Sequence, residues 1–139
     1  MTFLVQTLPK YAILFASITA PVIKGEPHRI YRALEMKLNQ RSDHEAIHVV
    51  MDLTDFDLAD KAPINHYVAI FATLYEKWHY QRTITLWISV DKAYQDVVNY
   101  LIQTLCIPVY VCPSRDDALI KIYKTYGKTE PLPDLESQK

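Results

Sequence analysis

The chain has 139 residues, half of them hydrophobic and 22% charged, which suits one globular domain with a proper core. A formal net charge of -1, with no run of like charges, excludes a nonspecific nucleic-acid binder, which would carry a basic excess or stripe. The apolar stretches fall short of the ~20 residues that span a bilayer. No membrane insertion is therefore expected. The N-terminus lacks a positive n-region and is interrupted by Pro9 and Lys10, so it reads as strand rather than as a signal peptide, and the expected compartment is cytoplasmic.

In chain order, Thr2–Gln6 and Tyr11–Ile18 read as strands joined by a turn at Leu8–Pro9–Lys10, short enough for an antiparallel hairpin. Pro27 opens a helix whose Ile30, Tyr31, Leu34 and Leu38 recur at helical spacing; the polar stretch Asn39–Glu45 ends it. Ile47–Leu53 is nearly continuous in apolar character and reads as a strand buried on both faces. A second helix is expected over Pro63–His79, with Ile64, Val68, Phe71, Leu74, Tyr75 and Trp78 as its stripe and Asp60 as its cap. Thr83–Val90 is rich in β-branched and aromatic residues and reads as strand. Asp91–Leu105 reads as helix, with Tyr94, Val97, Val98, Leu101, Ile102 and Leu105 inward. Pro108–Cys112 is a short strand. Ser114–Asp117 is a capping box before the helix Ala118–Tyr126, and Gly127 stops it.

The order β-β-α-β-α-β-α-β-α implies a single α/β domain over residues 1–126. Its sheet is five-stranded, mixed and mostly parallel, with flanking helices. Residues 127–139 hold two prolines and three acids, and they read as a flexible C-terminal tail.

Glycine occurs only at 25 and 127, so neither phosphate-binding glycine signature can be present. No cofactor is expected. His44, Glu45 and His48 lead into a strand and cannot share a helical face, and His66 and His79 are too far apart for one ion. They read as surface or boundary histidines, and no metal site is expected. Cys106 and Cys112 fit no CxxC spacing and read as reduced thiols packed beside the last strand. Thr54, Ser89 and Cys112 lack the setting of an activated nucleophile, so no catalytic residues are expected and the protein is read as not an enzyme.

Asp52, Asp55, Asp57 and Asp60 form an acidic series after the third strand. A receiver domain would need a second acidic pair and a lysine where Ala16–Ser17 and Cys112–Pro113 stand, so that reading fails. Strand termination and helix capping account for these acids. Tyr67, Tyr75, Trp78 and Tyr80 cluster on or after the second helix. They suit core packing first, and an apolar pocket or dimer face second.

The segment VVMDLTDFD and the C-terminal CPSRDDALIKI, set in this order of elements, resemble the STAS domain and the wider SpoIIAA-like group of anti-sigma-factor antagonists. The likeness covers residues 2–126. Asp52-Leu53-Thr54 matches the D-L-S/T strand end, and Ser114, Ala118 and Leu119 match the later S-x-x-x-A-L pattern. The D-S-S-G signature of the phosphorylation switch falls on Asp60-Lys61-Ala62-Pro63, which has no hydroxyl.

The resemblance implies a regulatory protein-interaction module that phosphorylation at the usual site does not switch. It implies a protein partner of the kinase-like or sigma-regulatory kind, contacted through Asp55, Asp57, Asp60, Lys61, Asn65 and His66. A small apolar ligand or lipid, held by Tyr67, Phe71, Tyr75 and Trp78, is the alternative. A homodimer is compatible with both readings.

Overall fold

A computed structural model describes residues 3–8, 13–18, 26–40, 46–53, 61–80 and 83–125. In chain order these form β1 (Phe3–Leu8), β2 (Ile13–Ile18), α1 (Glu26–Gln40), β3 (Ile47–Asp52), α2 (Lys61–Trp78), β4 (Ile84–Ser89), a 3-10 turn (Lys92–Tyr94), α3 (Gln95–Leu105), β5 (Val109–Cys112) and α4 (Arg115–Thr125). The strands lie in the sheet in sequence order, β1-β2-β3-β4-β5. β1 and β2 pair antiparallel and every later neighbour pair is parallel, so the α/β class and mixed sheet read from the sequence are present.

Topology places the helices. Each right-handed crossover from one parallel strand to the next puts its helix on the same face, and the strand order never reverses. α1, α2 and α3 thus share one face, where Ile30, Leu34 and Leu38, then Tyr67 to Trp78, then Val98 and Ile102 pack on Leu14, Ala16, Val49, Met51, Leu86 and Ile88. α4 follows the last strand and covers the opposite face. There Ala118, Leu119, Ile122 and Tyr123 meet Ile13, Phe15, Val50, Trp87 and Cys112. The two sets alternate along every inner strand, as the two-residue period of a strand requires. All six residues of β3 are buried, as its continuous apolar run implied.

Several boundaries differ from expectation. β1 runs on through Leu8, a residue expected in the turn. α2 begins two residues before Pro63, which thus occupies the first turn, where its missing N–H is no loss. The segment expected as one helix from Asp91 opens as a 3-10 turn. α4 starts at Arg115 because the Asp117 N–H donates to Ser114 Oγ at 3.1 Å, making Ser114 the cap. Leu105, expected inward, is exposed at the end of α3.

Two side chains sit in unexpected places. Cys106 is exposed rather than packed: it closes α3 in the left-handed conformation (φ 55°), which turns its side chain away from the core. His48, expected at a surface or boundary, is buried, because it points into the α4 face from a central strand. The expected acids Asp55, Asp57 and Asp60, Thr54, the turn at Pro9–Lys10 and the tail beyond Thr125 lie outside the described residues.

Candidate functional site

The first turns of α2 carry those expected partner contacts that are described. Lys61 is the first helical residue, and no acid stands in the first turn of α2 to complement the positive end of the helix dipole. Asn65 and His66 are exposed, while Tyr67 and Val68 directly after them are buried; the helical period splits the segment into an outward and an inward stripe.

His66 opens onto a groove of about 390 Å³ between α1 and α2, walled by His28 and Tyr31 on one side and Ala69, Ile70 and Thr73 on the other. A second hollow, of about 550 Å³, runs along α1 past Arg32, Glu35, Met36, Asn39 and Gln40. The two helices are clipped together between these hollows. The Lys77 ammonium donates to Glu35 Oε2, and the Tyr31 hydroxyl donates to the same oxygen at 2.9 Å. The hydrogen bond from Lys77, with that from Tyr31 second, holds the Glu35 carboxyl below its ordinary range. Burial, reinforced by Glu35, pushes the Tyr31 phenol up to about 12.

The four residues expected to line an apolar pocket are placed differently from that groove. Tyr67 and Phe71 have no exposure, Trp78 is nearly enclosed, and Tyr75 is half-buried with its ring stacked on His79 at 4.4 Å. All four belong to or pack against the continuous core beneath α2. Tyr80, by contrast, is exposed.

The acid at the end of β3 is also placed. Asp52 is buried, level with Ser17 on β2 and Ser89 on β4, and Ser89 is level with Cys112 on β5. This row at the carboxyl ends of the parallel strands escaped sequence reading, because its members lie 35, 37 and 23 residues apart in the chain. The signal for it was the single polar residue that ends each apolar strand. Ser89 Oγ has no hydrogen-bond partner among the described residues, and burial, with the Asp117 carboxylate beside it, pushes the Cys112 thiol up. Nor do the described residues gather three or more His, Cys, Asp or Glu side chains around one point.

On the same face, the Trp87 indole N–H donates to His48 Nδ1 at 3.1 Å, and the Trp87 ring lies 4.9 Å from the largely exposed Tyr110. His48 is therefore an acceptor at Nδ1, and burial pushes its imidazole below the ordinary value.

Neither a protein-family model nor a curated protein sequence matches this chain. Among the described residues, no helix is long and apolar enough to cross a membrane.

Proposed function

We propose that this chain is a non-catalytic, STAS/SpoIIAA-like protein-interaction module, regulatory in role and not switched by phosphorylation at the usual position. Its contact surface is the start of α2 with the loop before it, extended by the groove toward α1. The observation that carries this reading is the split of α2. Asn65 and His66 are exposed and His66 opens onto the groove toward α1, while Tyr67, Val68 and Phe71 are used up in core packing. Sequential strand order with three helices on one face also accords with the resemblance carried by Asp52-Leu53-Thr54 and Ser114. With Ala62 where the switch serine would stand, binding is constitutive or is controlled elsewhere.

The test is capture of partners on the immobilised protein, with a triple variant Asp60→Lys, Lys61→Glu, His66→Glu beside the wild type. The variant loses the specific partners and keeps the wild-type circular dichroism and melting temperature. An unchanged set of captured proteins refutes the surface. Native mass spectrometry of the protein as purified checks the competing carrier reading. A retained apolar ligand would replace the interaction module with a carrier.

A further inference from the structure

The described sheet ends at β5, and one bond fixes which way the main chain of that strand faces. The Val90 N–H, just past β4, donates to the Cys112 carbonyl at 2.9 Å, so Cys112 turns its backbone groups toward β4. The direction alternates along a strand. Tyr110 therefore does the same, while Val109 and Val111 turn their N–H and C=O groups to the open edge. Among the described residues no strand takes up these outward groups. Sheet edges are commonly guarded by charge, an internal proline or a bulge, and the strand Val109–Cys112 has no charge and no proline. Pro108 and Pro113 bracket it and confine a ladder to these residues. Tyr110 is 60% exposed, although its ring lies beside Trp87. At the opposite edge of the sheet, Val5, Gln6 and Thr7 of β1 are all half-buried.

We infer that β5 pairs with β5 of a second copy of this chain, antiparallel, about a two-fold axis at Tyr110. This register uses every outward group of the strand. Val109 of one copy lies opposite Val111 of the other, and each such pair exchanges both of its N–H···O bonds. Tyr110, with its backbone groups turned inward, meets its own counterpart in the close, non-hydrogen-bonded position, where the two rings pair. No like charges oppose each other, because the strand carries none. Centring the axis on Val111 instead would set Val109 against Pro113, which has no N–H to give. The edge is thus self-complementary, as a two-fold interface requires. The ladder alone buries less than the roughly 800 Å² per partner of a standard interface, so the dimer is weak and reversible. This inference stands apart from the interaction surface at α2 and survives if that surface is wrong.

Sedimentation equilibrium of the full chain, from micromolar to millimolar concentration, tests it. The mass rises from monomer toward dimer. Tyr110→Lys sets like charges across the axis and removes the ring pair, weakening association by about tenfold or more. Its circular dichroism stays that of the wild type. The register is read separately by Tyr110→Cys combined with Cys106→Ser. The paired Cα atoms lie roughly 4.5 Å apart, within the range a disulfide spans, so mild oxidation joins two chains. His66→Cys in the same background does not join them. A monomer at every concentration overturns the inference. So does a dimer that Tyr110→Lys leaves intact, or one that Tyr110→Cys fails to cross-link, since another surface then holds the copies together.

Discussion

Replacing Trp87 by phenylalanine probes the best-defined polar contact in the core. Trp87 is 6% exposed, and its indole N–H meets His48 Nδ1 at 3.1 Å inside the α4 face. The substitution keeps an aromatic ring but removes the donor. The stranded imidazole nitrogen costs about 1–3 kcal/mol. The lost indole surface and the small void it leaves cost about 1–2 kcal/mol more. A loss of about 2–5 kcal/mol is a large part of a domain stability on the order of 5–15 kcal/mol. His48→Leu strands the indole instead and carries a similar penalty. In the double variant both polar partners are gone, so it is less destabilised than the sum of the two by about 1–3 kcal/mol. Urea unfolding of the four proteins, with unchanged m-values, measures this coupling. Single-variant losses that simply add, to within about 0.3–0.5 kcal/mol, would refute the contact as an energetic unit.

Four further outcomes are expected. Burial holds the His48 imidazole below its ordinary 6.5, so the unfolded chain takes up a proton that the folded chain resists. The contribution is complete above pH 6.5 and is lost as pH falls from there through the depressed folded value, no more steeply than about 1.4 kcal/mol per pH unit; urea midpoints across that window fall less in His48→Leu. Cys106 is exposed and Cys112 is buried with its thiol pushed up, so iodoacetamide labels Cys106 alone in the native protein and both in urea, as read by peptide mass. Cys106→Gly relieves the left-handed backbone at φ 55° and raises stability by about 0.5–1 kcal/mol in urea melts. The Tyr31 phenol, pushed up to about 12 by burial and by Glu35, moves down in Glu35→Gln, which carbon NMR of labelled tyrosine follows directly; an unmoved titration would disprove the Tyr31–Glu35 hydrogen bond within α1.

The reading of these elements shows where local chemistry suffices. The continuous apolar run Ile47–Val50 required a strand with two covered faces, and both faces are covered. The spacing of Val68, Phe71, Leu74 and Trp78 required one buried face of a helix, and all four are buried. Ser114 announced a helix start and caps it. Such signals are local: periodicity, β-branching and capping act within a few residues, so the chain carries them by itself.

Tertiary structure decided the rest. His48 and Trp87 are 39 residues apart, and only the pairing of β3 with β4 makes one the acceptor of the other. Cys106 was expected to pack beside the last strand, but the left-handed end of α3 turns it outward. His66 gained a groove because α1 lies alongside α2, and Lys77 found Glu35 for the same reason. Ser17, Asp52 and Ser89 were three isolated polar residues at the ends of apolar runs. The sequence determined which stretches are strands, which are helices and which face each buries. Parallel register, a property of neighbouring strands and not of any one segment, set those three side chains in a single buried row.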